Sequence, residues 1–326
     1  METHALVSSL VAAIVLAFVF GFLAQRLRLS PIVGYLIAGV AVGPYTPGFV
    51  GDTEFALQLS EIGVILLMFG VGLKISIEDI WSVRWVAVPG SVLQMAAATV
   101  MGAGAGIALG MPLAEAIILG ISLSIASTIV FMRVLEERRL LKSEEGRIGI
   151  SWLLVEDLVI VLAIVVLPAL VAAMAAGETV SAARLFSALG LTFLKIALFV
   201  ALMLVVGARF FPWLIVRIAH AKSRELLSLG TLALALGVAW AAYFWFDASF
   251  ALGAFLAGLA LNGSKFSHRV AEESLPLRDT FAVLFFVAVG MLFDPRVLLN
   301  EPLGVAAMVA LIVIGKTILG YVPMRM

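Results

Sequence analysis

The sequence predicts an all-α polytopic membrane protein, and three observations carry that prediction. Hydrophobic residues make up 63% of the chain and charged residues only 13%, where a soluble domain carries about 25% charged; mean hydropathy is +1.17. At about 20 residues per crossing, eleven apolar runs can be marked off, near 5–24, 31–50, 56–73, 86–110, 112–134, 148–174, 185–210, 225–245, 248–262, 279–293 and 303–322. Finally, the lysines and arginines alternate between the loops on either side. Arg26, Arg28, Lys74, Arg84, Arg133, Arg138, Arg139, Lys142, Arg147, Arg217, Lys222, Arg224, Lys265, Arg269 and Arg278 fall in one set of alternate loops, and only Arg184 and Arg296 in the other. By the positive-inside rule the first set faces the cytoplasm and the N-terminus lies outside. The expected location is a bacterial inner membrane.

Taken in order, the spans carry local signals. Ser30-Pro31 reads as a helix start, with proline at the first helical position, and Pro44 and Pro47 break the second run near its far end. Gly102, Gly104 and Gly106 in the fourth run are spaced for helix contact, since no strand precedes them as a phosphate loop requires. The fifth run contains Ser122, Ser124, Ser127 and Thr128, four hydroxyls in seven residues. Such a cluster suggests unwound backbone whose freed groups need partners, and broken helices at mid-membrane present carbonyls and helix termini to ions; close packing of small residues is the alternative. Trp81, Trp85, Trp213, Trp240 and Trp245 read as interfacial anchors. Arg133 to Arg147 reads as a solvated loop that sets topology. Glu61, Glu115 and Asp247 read as interfacial or vestibule acids.

The sixth run carries the chemistry. Glu156 and Asp157 are adjacent carboxylates within a helix long enough to cross a bilayer, where a charge costs roughly 2.5–3.5 kcal/mol on insertion scales. Two acids persist there when a counter-charge, a cation, a proton or a water-filled cavity compensates them. Neighbours on a helix project about 100° apart, so the two cannot face one point. A coupled pair of this kind can trade a proton for a cation; a structural ion pair between helices is the other reading. Lys316, near the middle of the eleventh run, is the expected counter-charge, either exchanging with a cation or forming a static bridge. Lys195, inside the seventh run, has no assigned partner.

Composition excludes other classes. Lys+Arg and Asp+Glu balance at 21 each, so charge points to neither nucleic acid nor an acidic partner. The absence of cysteine removes disulfides, Cys-ligated metals and thiol catalysis, and the three histidines form no metal-spaced cluster. No cofactor, metal or nucleophile–base set is expected, so the chain does not read as an enzyme. Met-Glu-Thr-His at the start lacks a basic signal-peptide region.

Several stretches resemble a known family. Pro31-Ile-Val-Gly34-Tyr35-Leu-Ile-Ala-Gly39-Val-Ala-Val-Gly43-Pro44 and the run from Glu61 through Gly63 to Gly72-Leu73 are similar to the second and third helices of the monovalent cation:proton antiporter-2 family. Ala251 to Gly258 and Phe285-Phe286-Val-Ala-Val-Gly290-Met291 resemble its Kef-type branch. Val155-Glu156-Asp157-Leu158 together with Ser267 to Asp279 resembles the YbaL (RosB-like) subgroup of potassium/proton antiporters. The resemblance implies an NhaA-like inverted-repeat fold of thirteen helices, of which about eleven are present here, working as a homodimer. Residues 1–174 would be the first repeat, with panel helices one to three and core helices four to six. Residues 175–210 would be a linker helix, and 211–326 an incomplete second repeat with panel helices eight to ten and core helix eleven. The family's essential aspartate falls on Asp157 and its core lysine on Lys316, with Ser124, Ser127 and Thr128 at the first broken helix. Glu156 stands where many Kef-type members have glutamine. The chain reads as ending before the twelfth and thirteenth helices and before any nucleotide-binding domain.

The implied activity is exchange of a monovalent cation, potassium foremost, for protons by alternating access. A potassium channel-like efflux unit and a non-transporting membrane module are the alternatives.

Overall fold

A computed structural model describes residues 2–47, 52–176, 182–221, 223–262 and 267–324. Every regular element among them is helical. In chain order they are α1 (Glu2–Arg26), α2 (Pro31–Val42), α3 (Thr53–Gly72), α4 (Ile77–Ser82), α5 (Arg84–Ala108), α6 (Leu113–Ser124), α7 (Thr128–Glu137), α8 (Glu144–Ala176), α9 (Ala182–Leu202), α10 (Ala208–His220), α11 (Arg224–Phe246), α12 (Phe250–Asn262), α13 (Ser267–Met291), α14 (Val297–Asn300), α15 (Pro302–Ala310) and α16 (Lys316–Met324). Two π-helical segments, Met203–Gly207 and Leu311–Gly315, join α9 to α10 and α15 to α16. Each expected apolar run coincides with one helix or one interrupted helix. Seven helical stretches among the described residues are long and apolar enough to cross a membrane, while α2 and α12 are shorter apolar helices.

The boundaries differ from expectation where local chemistry intervenes. Helix α2 stops at Val42, five residues before Pro47, because Gly43 turns to an extended conformation and Pro44 cannot continue the hydrogen-bond ladder. The seventh run continues as one helical stretch, Leu189–His220. Helix α13 begins at Ser267, twelve residues ahead of the predicted span. Lys222, Lys265 and Arg325 lie outside the described residues.

Packing sorts the helices into two groups. Helices α1, α2, α3, α11, α12 and α13 pack on one another, α5, α6, α8 and α16 form a second group, and α7 bridges the two through α3 and α8. The α9–α10 stretch lies against α11 and α12 and also touches α8. Glycine makes the tightest crossings of the first group. A Cβ on Gly39 would strike the Val287 carbonyl and approach Gly290 Cα, and one on Gly258 would strike the Phe69 carbonyl and approach Gly72 Cα. In lipid there is little hydrophobic force between helices, so close backbone approach and dispersion hold such pairs together. Of the glycines in α5, Gly102 and Gly106 rest on Gly120 and Ala116 of α6, whereas a Cβ on Gly104 would meet open space. The outward faces remain apolar: Phe18, Trp85, Leu194, Trp240 and Leu303 are all exposed.

The Gly258 crossing is testable. Gly258→Val forces α12 away from α3, because the obstructing atoms are backbone and cannot swing aside. It should destabilise the protein by about 1–3 kcal/mol, read as a lower melting temperature in detergent. Gly104→Val, in open space, should leave the melt unchanged.

Candidate ion site

The site is built where the fifth span breaks. Helix α6 ends at Ser124, Ile125–Ser127 are not helical, and α7 begins at Thr128. Ile125 is extended, and Ser127 caps α7 by accepting from the Val130 N–H. Such a break frees backbone donors and acceptors, which in lipid must find partners inside the protein. Helix α8 runs past the break and presents Glu156 and Asp157 to it.

Each carboxylate meets a different part of the break. Glu156 is 2% exposed and accepts the Ala126 backbone N–H at 2.9 Å. Asp157 is half-buried and accepts from the Thr128 hydroxyl at 3.5 Å, the long end of hydrogen-bonding range. Thr128 opens α7, so the positive end of that helix lies on the Asp157 side and favours negative charge there. Adjacent positions on one helix thus use two different donors of one interruption.

The two acids also face different cavities. Asp157 lines a space of about 500 Å³ with Ile160, Tyr243, Asp247 and Ser249, between α8 and the α11–α12 turn. Glu156 lines a smaller one of about 180 Å³ with Gln94 of α5, Trp152 and Lys316. Lys316 therefore shares a cavity with Glu156 and not with Asp157. Among the described residues no carboxylate forms an ion pair with it within 4.0 Å. It follows directly on the π segment Leu311–Gly315, and π segments of this kind recur at functional sites.

The hydroxyls of the fifth span divide in the same way. Thr128 alone reaches a carboxylate. Ser124 is buried and donates to the Ile121 carbonyl at 2.7 Å, a turn-internal bond, and Ser127 is occupied in capping α7.

Two features escaped sequence reasoning. Lys195 pairs with Asp247 at 2.7 Å, which places a lysine without an assigned role at the rim of the Asp157 cavity. Asp247 ends α11 in the left-handed region, φ 55°, a conformation that aspartate tolerates better than most residues. The second is a charge network at the far end of α7. Arg278 of α13, 4% exposed, donates to Glu136 of α7 at 3.0 Å and to Asp279 at 3.0 Å. Lys74, following α3, also pairs with Glu136. Arg133 lies 3.4 Å from Glu137 and 3.5 Å from Asp279. The expectation of a solvated loop from Arg133 to Arg147 holds for Arg138, Arg139 and Lys142, which are exposed between α7 and α8, and is corrected at its two ends. Arg133 is helical and engaged across helices, and Arg147 belongs to α8 and pairs with Asp79 of α4 at 3.2 Å. Hydrogen bonds from Ser76, with Arg147 nearby, hold the Asp79 carboxyl below the usual carboxylate range. Glu136 was invisible in the sequence because its partners come from positions 142 and 62 residues away.

The geometry can be set beside known proteins. The chain matches the family described as sodium/hydrogen exchanger, transmembrane, over residues 14–326. It is 52% identical over 321 residues to the Escherichia coli (strain K12) protein named "Putative cation/proton antiporter YbaL", covering 98% of this chain and 57% of that one. It is 32% identical over 323 residues to the "Glutathione-regulated potassium-efflux system protein KefC" of Cronobacter sakazakii, covering 98% of this chain and 50% of KefC. The chain thus spans about half the length of these relatives. The structure of the sodium proton antiporter MjNhaP1 from Methanocaldococcus jannaschii superposes with a TM-score of 0.64 over 98% of this chain and 78% of that one, at 17% identity, which establishes a common fold. With the family matched along nearly its whole length, and that fold shared, the chain belongs to the sodium/hydrogen exchanger family in its Kef-type, monovalent cation:proton antiporter-2 branch, a family of transporters and not of enzymes.

Proposed function

We propose that this chain exchanges a monovalent cation for protons, with Asp157 as the carboxylate that holds one or the other. The observation that carries the reading is the position of Asp157: a membrane acid at a helix break, lining a large cavity and bound, among the described residues, only by a long hydroxyl contact. A carboxylate held so loosely can release its partner to an ion. A structural acid would be tied down by short bonds, as Glu136 is. Thr128 and the unwound backbone beside it are the natural further ligands for a dehydrated cation. Potassium is the favoured ion, in keeping with what the name of KefC says of that protein.

The two packed groups of helices suggest how access alternates. Helices α5 to α8 and α16 form the moving core, and α1 to α3 with α11 to α13 form the panel, which pairs with a second copy in a homodimer. The inverted repeat, with α9 and α10 as linker, relates the two halves. In the orientation expected from the basic loops, within a bacterial inner membrane, the Asp157 cavity opens outward. The network around Glu136 and Arg278 then closes the cytoplasmic side, since it joins core helix α7 to panel helix α13. Inward access requires those contacts to part.

Two measurements test this. In proteoliposomes, Asp157→Asn should abolish potassium-driven proton movement while the protein stays folded and monodisperse; undiminished flux would remove Asp157 from the mechanism. Conductance without counter-movement of protons would instead favour the channel-like reading. Arg278→Ala strips a buried cation from Glu136 and should cost about 3 kcal/mol, seen as a reduced melting temperature. Arg133→Ala, at a more exposed edge of the network, should cost less than about 1 kcal/mol.

A further inference from the structure

The cavity beside Asp157 has a second acid in its wall. Its charged lining residues are Asp157, within α8, and Asp247, which ends α11. Ser249 lines it too, but its hydroxyl is occupied, accepting the Leu252 N–H at the start of α12. Lys195 of α9 donates to Asp247 at 2.7 Å, whereas Asp157 meets the Thr128 hydroxyl at 3.5 Å. One acid of the cavity thus holds a fixed ammonium, and the other is loosely bound.

The pair has the attributes of an exchangeable contact. The Lys195 and Asp247 side chains are 36% and 48% exposed, and an ion pair so accessible adds little to stability. Asp247 stands in the turn between α11 and α12, so a cation that enters past this turn meets it before Asp157. A lysine ammonium carries the same single positive charge as a monovalent cation. Each therefore excludes the other from the Asp247 carboxylate.

We propose that Lys195 is a tethered competitor of the transported cation. Its ammonium occupies Asp247 when that acid is otherwise free, and a cation entering the Asp157 cavity displaces it. Lys195 thereby sets the concentration at which the cavity fills, and Asp247 is the acid that draws the cation in. A cleft lined by one sign of charge concentrates counter-ions, and a lysine at its edge subtracts from that field. The proposal deepens, and rests on, the reading of Asp157 as the cation-holding acid. No covalent bond changes: an N–H···O contact gives way to a cation–carboxylate contact, and the charge on Asp247 stays balanced.

A bridge that serves structure alone makes a different prediction. Removing either partner then breaks the same contact, and both variants shift the protein the same way. Competition requires opposite shifts. In proteoliposomes, exchange rates are measured against potassium concentration, with ionic strength held constant by choline. Lys195→Met should lower the half-saturating potassium concentration by about twofold or more, and Asp247→Asn should raise it by a similar factor, the scale of an accessible ion pair. Maximal rates should change little, and Lys195→Arg should keep the wild-type value. Shifts in one direction, or none, overturn the proposal. If Lys195→Met does not fold, Asp247→Asn decides, and an unchanged or lowered value is the overturning result.

A second measurement needs no transport. Potassium should protect Asp157 from carbodiimide in detergent, read at that residue by mass spectrometry, and the concentration for half-protection should follow the same order across the variants. Exchange without opposite shifts overturns the competition and leaves the antiport reading intact. Opposite shifts in protection, in a wild-type protein that performs no exchange, remove the antiport reading and leave the competition standing.

Discussion

The structure turns on a single exchange of hydrogen-bonding capacity between an interrupted helix and the helix beside it. Breaking the fifth span at Ile125–Ser127 leaves peptide groups unpaired in a medium that offers no water. Placing two carboxylates on α8 puts charge where charge is costly. Neither defect would survive alone. Together they meet each other's need, with the Ala126 N–H on Glu156 and the Thr128 hydroxyl on Asp157. The α5–α6 packing through Gly102 and Gly120, and the seating of Gly90 against Trp152 of α8, bring the two defects into register.

That arrangement separates two acids that the sequence places side by side. The 100° step between neighbours on a helix sends Glu156 toward α5 and α16 and Asp157 toward α11 and α12. Lys316 belongs to the first compartment, so it balances Glu156 and leaves Asp157 with a hydroxyl and an open cavity. A division of labour follows from geometry alone. The buried acid has a backbone donor and a nearby ammonium, and the accessible acid has room for an ion.

The ionic network at the other end of α7 is of a different kind. Arg278, Lys74 and Glu136 are held by short contacts, with Arg278 deeply buried, and breaking one partner of such a set exposes an uncompensated charge. The network grips the end of α7, while the long Asp157 contact from α8 meets its beginning at Thr128. The cytoplasmic end of α7, in the expected orientation, is tied to the panel, while its beginning borders a cavity. Helix α7, ten residues long, therefore joins the Thr128 contact with Asp157 to the ionic network at its far end.

Much of this was legible in one dimension. Hydropathy predicted the all-helical membrane class and where the apolar runs fall along the chain, because lipid demands long apolar helices. The clustered hydroxyls of the fifth span marked its break, and adjacent acids in an apolar helix marked the candidate site, since both are costly in a bilayer unless compensated. Tertiary structure alone decided which partner each group found. Lys195 finds Asp247 and Glu136 finds Arg278 across 52 and 142 residues. Sequence records how costly a buried group is; only the packing of helices distant in the chain sets what stands beside it.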